Sequence, residues 1–176
     1  MSIKSWIIQK YADWTFRSIE RKAEHAEHDQ DKILNYLLER GRGTLFGKDH
    51  NFDNINNHEQ FASHVPIRGY EELKPYIQKI LDGQKDVLWQ GRPKYFAKTS
   101  GTTSGIKYIP ISKESIKFHI STARNVILNY IGQTKKNVLL GKLIFLSGSP
   151  QLDKKAGIHT GRLSGIVNHE IPSWIK

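Results

Sequence analysis

Ten consecutive residues concentrate the groups able to grip an anion: Lys98-Thr99-Ser100-Gly101-Thr102-Thr103-Ser104-Gly105-Ile106-Lys107. Five hydroxyls, two glycines and two lysines fall within that run. Glycine lets the backbone turn so that successive N–H groups face one concavity, hydroxyls donate further hydrogen bonds, and lysine adds a point charge. Those are the donors that a phosphate chain requires. Between Val87 and Lys113 there is no acidic residue, whereas Arg92, Lys94, Lys98, Lys107 and Lys113 are basic. Nothing close in sequence repels an anion.

The spacing is not that of a Walker loop, since three residues rather than four separate Gly101 from Gly105, and Tyr108 follows Lys107 where that motif has Ser or Thr. A Walker loop also opens a helix directly, and here a strand-like segment intervenes before the next helix. An anion would therefore be held by backbone and side chains, with less help from a helix dipole. The plain alternative is a flexible, polar hairpin tip. Other polar residues carry less. His25 and His28, three apart on a charged helix, read as a solvated face rather than a metal site. Ser147-Gly148-Ser149-Pro150 reads as a turn, and Trp6 and Trp14 as core residues.

The elements that must position this loop follow from periodicity. Ile3, Ile7, Tyr11 and Trp14 form an apolar stripe on a helix running from Ile3 to about Glu24. A second helix spans about Asp31 to Arg40, burying Ile33, Leu34, Leu37 and Leu38, with Gly41 as a left-handed cap. A long connection from Gly41 to Asn57 is anchored by Leu45, Phe46 and Phe52. A short helix is expected near Glu59 to His64, and another over Tyr70 to Leu81, ended by Gly83 and started late or kinked by Pro75. Val87–Trp89, Tyr95–Ala97, Tyr108–Ile111 and Leu143–Leu146 read as strands. Between the last two lies a helix capped by Ser112, burying Ile116, Ile120, Ala123, Ile127 and Ile131 up to Gly132. The order implies an α/β domain whose helical N-terminal part packs on a β-sheet. Residues 1–85 are mainly helical, and 86–176 are α/β with the loop 98–107.

The 176 residues carry a formal charge of +10, unevenly distributed. Residues 1–89 hold 13 basic and 14 acidic side chains, and residues 90–176 hold 14 basic and 3 acidic. That second half attracts polyanions, for which nucleic acid, an anionic surface and a nucleotide phosphate tail are the candidates. No recognised nucleic-acid-binding motif is present, so a basic nucleic-acid-binding module stands as the alternative reading. Zero cysteines exclude a disulfide scaffold, a thiol nucleophile and a thiolate zinc site, and fit a reducing cytoplasm. No apolar run reaches the roughly 18 to 20 residues of a membrane span, so no membrane partner is expected. The sequence carries no signal for an oligomeric state.

Thr99-Ser100-Gly101-Thr102-Thr103 resembles the phosphate-binding signature of adenylate-forming enzymes. Leu45-Phe46-Gly47-Lys48, Phe52, Phe61, Val65-Pro66-Ile67, Tyr70-Glu71-Glu72-Leu73, Pro75-Tyr76-Ile77, Gly83, Phe96 to Gly105 and Leu163-Ser164-Gly165-Ile166 widen the match. Together they are similar to the N-terminal part of the auxin-responsive Gretchen Hagen acyl-acid amido synthetases. The resemblance implies a portion of the large N-terminal domain of an adenylate-forming enzyme, residues 1–176 being one partial domain without the C-terminal domain. It implies a ligase that uses ATP and Mg2+ to adenylate a small-molecule carboxylic acid, then transfers the acyl group to an amine such as an amino acid. In such an enzyme Thr99, Ser100, Gly101, Thr102, Thr103, Ser104 and Gly105 would cradle the phosphates, and Lys107 and Lys98 would neutralise the leaving pyrophosphate. Arg124 would meet the substrate carboxylate. The metal ligands would lie outside these residues, leaving the fragment inactive alone.

Overall fold

The computed structural model describes residues 3–99, 105–141, 144 and 148–171. The chain divides into two compact units, Met1–Gln30 with Lys117–Leu146, and Asp31–Ile116 with Ser147–Lys176.

The first unit is helical. Helix α1 (Ile3–Glu24) has the expected length, but its expected buried stripe faces outward. Ile3 is 79% and Trp14 60% exposed, and Trp6, Ile7 and Tyr11 are also exposed, while Ser5, Ala12 and Thr15 are buried. The reason lies in α6 (Lys113–Thr134). A Cβ added to Gly132 on that helix would sit 2.7 Å from both the Ala12 carbonyl oxygen and Phe16 Cβ. Backbones that approach so closely admit only small side chains between them, so the small-residue face of α1 turns inward and its large apolar face outward. Trp6 and Trp14 are therefore not core residues. The core here is Ala12, Leu128 and Ile131, flanked by Ile8 and Ile127. Ala123, expected on the buried stripe, is exposed. Gly132 does not end α6, which continues to Thr134; Lys135, at φ 61°, makes the left-handed turn instead and donates its N–H to Ile131 O. Lys135 also pairs with Asp13 at 2.8 Å and holds its carboxyl below the usual range.

The second unit holds the sheet. Helix α2 (Ala26–Gly41) begins earlier than periodicity suggested, with Glu27 and Asp29 near the positive end of its dipole. Leu38 is buried, Ile33 and Leu37 exposed. Gly41 is not a left-handed cap but a close-packing position, since a Cβ there would lie 2.7 Å from the Phe52 ring. The connection after it contains α3 (Leu45–Asp49) and a 3-10 turn (Phe52–Asn54). Thr44 caps α3 by accepting the Gly47 N–H at 3.0 Å. Phe52 anchors the segment with Leu38 and Ile55, and Phe46, Phe61 and Val65 pack around them. Helices α4 (His58–His64) and α5 (Tyr70–Leu81) follow, α5 starting at Tyr70 and running through Pro75. Gly83 takes φ +98°, the left-handed conformation expected of it.

Val87–Trp89 is not a strand. The Val87 carbonyl accepts the Phe46 N–H and the Asp86 carbonyl the Leu45 N–H, so the first turn of α3 occupies acceptors that a neighbouring strand would need. The sheet comprises β1 (Tyr95–Lys98), β2 (Tyr108–Ile111), β3 (Asp153–Lys155) and β4 (Ile158–Gly161), in the order β2-β1-β4-β3. β1 pairs antiparallel with β2, placing Lys98 opposite Tyr108, and parallel with β4, placing Phe96 opposite Thr160. β3 pairs antiparallel with β4. Phe96 and Ile158 meet Ile77 and Ile80 of α5 and Val87 in one core, so α5 covers one face of the sheet. Helix α7 (Leu163–Glu170) closes the chain's described part. The expected strand Leu143–Leu146 lies outside the described residues except for Ile144.

Candidate functional site

The polar loop is framed as the sequence predicted, by two short antiparallel strands. β1 is buried along Tyr95, Phe96 and Ala97, which ties the residues leading into the loop to the core. At its base the Thr99 N–H donates to Lys107 O at 3.1 Å, extending the β1–β2 pairing one step beyond Lys98 and Tyr108. Gly105 sits at φ +79°, with no atom of the described residues within 4 Å of where a Cβ would be, so glycine there serves the backbone turn. The structure describes Lys98, Thr99, Gly105 and Lys107 among the expected phosphate contacts. Ser100, Gly101, Thr102, Thr103 and Ser104 lie outside the described residues.

The two lysines flanking the loop have different partners. Lys98 forms an ion pair with Asp153 on β3, reaching across β4. Lys107 instead places its Nζ 5.3 Å from the centroid of the Tyr70 ring. The Tyr70 hydroxyl accepts the Tyr108 N–H at 2.8 Å. Lys155 lies over Tyr108, its Nζ 4.1 Å from the ring centroid, and Tyr108 meets Phe96 edge to face at 6.1 Å. Beside these groups a cleft of about 160 Å³ is lined by Tyr70, Ile106, Tyr108 and Lys155, together with Glu71 and Lys74, which pair with each other at 3.1 Å. Among the described residues neither Lys107 nor Lys155 meets a carboxylate. This end of the sheet thus offers two cations whose charge an anion could use.

The other end of β1 is compensated. Lys94 pairs with Glu170 at 2.5 Å, and the Tyr95 hydroxyl donates to the same carboxylate. Burial, then the hydrogen bond to Glu170, pushes the Tyr95 phenol up to about 12. Burial alone would raise the Glu170 carboxyl, but hydrogen bonds from Lys94 and Tyr95 outweigh it and hold it below the ordinary carboxylate value. A wider pocket of about 450 Å³ opens beside Tyr95, lined by Pro150, Leu152, His159 and His169.

Arg124, the expected carboxylate-binding arginine, is exposed on α6 in the other compact unit and donates to Asn125 Oδ1 at 3.4 Å. His25 and His28 are exposed. Among the described residues no three acidic or imidazole groups converge where a metal ion could be held. Tyr70, Asp153 and Lys155 belong to the loop's surroundings without having been singled out by the sequence. Asp153 had a signal: it is one of only three acids after residue 89.

Comparison with known proteins agrees with this architecture. A solved GH3.15 acyl acid amido synthetase superposes with a TM-score of 0.74 at 22% identity, over 86% of this chain and 28% of that one. The fold is therefore that of the matching region of this solved protein, a helical segment with a mixed four-stranded sheet. Indole-3-acetic acid-amido synthetase GH3.2 of Arabidopsis thaliana is 32% identical over 100 residues, 56% of this chain and 18% of the relative. Jasmonoyl--L-amino acid synthetase JAR4 of Nicotiana attenuata is 28% identical over 136 residues, 75% of this chain and 23% of the relative. The chain thus spans about a fifth of the length of these curated relatives. Residues 15–175 match the GH3 family N-terminal domain, and the chain belongs to that family.

Proposed function

We propose that these residues form the phosphate-binding portion of an ATP-dependent acyl-acid amido synthetase, a ligase that adenylates a carboxylic acid and passes the acyl group to an amine such as an amino acid. The observation that carries this reading is the glycine- and hydroxyl-rich loop 98–107, closed at its base on paired strands and flanked by Lys107, within a domain of the GH3 family. Backbone N–H groups and hydroxyls from Thr99 to Gly105, including Ser100, Gly101, Thr102, Thr103 and Ser104, would hold the phosphate oxygens. Preorganised donors of this kind are worth about 2.7 to 4 kcal/mol each where charge develops in a transition state. Lys107 and Lys98 are the cations nearest the loop for the departing pyrophosphate, and Arg124 would meet the acyl carboxylate through its planar fork. Mg2+ would compensate phosphate charge when bound, with its ligands supplied from outside this chain.

The domain reading goes with it: residues 1–176 as one partial domain, with a mobile C-terminal domain supplied elsewhere. Absence of cysteine supports a reducing cytoplasm as the compartment. No helix among the described residues is long and apolar enough to cross a membrane. The nucleic-acid alternative gains nothing from the family match, which is to the GH3 family N-terminal domain.

The test is acid-dependent pyrophosphate release by the family-length polypeptide with indole-3-acetic acid as the first probe, followed across other carboxylic acids. The S100A/T102A double variant is expected to abolish release. Release unchanged in that variant would remove the loop from the mechanism.

A further inference from the structure

We propose that Tyr70 is a positioning residue for Lys107, holding its ammonium in place at the far side of the loop while leaving the charge unneutralised. This rests on the reading of the loop as a triphosphate site.

Tyr70 acts on two consecutive residues. Its ring faces the Lys107 ammonium at 5.3 Å, and its hydroxyl accepts the N–H of Tyr108 at 2.8 Å. Among the described residues β2 is an edge strand, because the sheet order is β2-β1-β4-β3, and its outward N–H groups have no strand partner there. The Tyr70 hydroxyl satisfies one of them and so fixes the backbone adjoining Lys107. Tyr70 is itself held: it is the first residue of α5, partly buried, and packs on the core formed by Ile77, Ile80 and Phe96. A rigid helix thereby sets both the main chain and the side chain where the loop returns to the sheet.

The choice of partner matters. Lys98 is held by the Asp153 carboxylate, whose negative charge offsets its own toward an incoming phosphate. An aromatic face attracts a cation through its quadrupole and brings no opposing charge. Lys107 is thus ordered in advance, yet its electrostatic attraction for an anion is undiminished. Ordering a flexible lysine before binding lowers the entropy lost on binding.

The experiment measures binding of inorganic tripolyphosphate, without adenine or acyl acid, to the family-length polypeptide by calorimetry, alongside NMR of the Lys107 ε-methylene protons. In the wild type those protons are expected upfield of free lysine, through the ring current of Tyr70. Y70F should keep that shift and most of the affinity. Y70L should lose the shift and weaken binding roughly fivefold, the size of a partly exposed cation–π contact. K107A should weaken binding at least as much, and Y70L/K107A no further than K107A alone. Additive losses in the double variant, or Y70L binding as the wild type does while K107A is weakened, would overturn the role of Tyr70. Should Y70L not fold, the wild-type and Y70F spectra decide: unshifted ε-protons in either overturn it equally. If wild-type chain takes up no tripolyphosphate, the loop reading fails and the inference with it. That result is distinct from a failure confined to the Tyr70 variants.

Discussion

The two ends of β1 treat charge in opposite ways. At Tyr95, a lysine and a phenol converge on one carboxylate, with Tyr95 buried and Lys94 exposed. At the loop end, Lys107 and Lys155 rest on aromatic faces and meet no carboxylate among the described residues. A compensated cluster adds stability and has little left to offer a ligand. An uncompensated one adds less stability but keeps its field available. Four residues of one strand thus separate a structural end from an anion-seeking end.

The largest perturbation is one that both ends share. Phe96 is fully buried between them, and F96A is expected to cost about 3–5 kcal/mol through transfer and cavity terms, seen as a lowered urea midpoint. A loss below 1 kcal/mol would mean that the ends are not joined through this core. Next in size is E170Q, which removes the charge that Lys94 and Tyr95 address. Its expected cost is about 1–3 kcal/mol at neutral pH, with tripolyphosphate affinity unaltered. The pH dependence sharpens this. Because the folded carboxyl titrates below its ordinary value of 4.5, its contribution is present above that value and disappears as pH falls through the depressed one. The gap in stability between wild type and E170Q should therefore close in acid. A gap that stays constant down to pH 3, measured by denaturant titration, would separate the effect from charge. The smallest effect on stability belongs to the loop end, where K107A should change it by less than about 0.5 kcal/mol while weakening anion binding. The reverse pattern would erase the contrast.

Local signals made much of this legible. The strands around the loop and the glycine turns at Gly83 and Gly105 follow from backbone chemistry close in sequence, and the resemblance carried by Thr99-Ser100-Gly101-Thr102-Thr103 pointed to the family. What could not be read depended on contacts distant in sequence. The outward face of α1 is decided by Gly132, whose missing side chain lets another helix come near. Gly41 looked like a cap for the same reason that Gly132 looked like a stop: a glycine serving close approach is indistinguishable in sequence from one serving a turn. β3 is short and wholly exposed, with the sequence Asp-Lys-Lys, and gave no apolar alternation to detect. Lys98 and Lys107 looked equivalent because their partners, Asp153 and Tyr70, come from other elements.

The mixed pairing of β1 also dictates an order of events. Its antiparallel partner follows in sequence after only about ten residues, so that ladder closes with little loss of chain entropy. Its parallel partner must bring Tyr95 to His159 across a whole intervening helix. During folding the hairpin therefore forms ahead of the crossover, and the β1–β2 pairing is in place before the far edge of the sheet arrives to brace it.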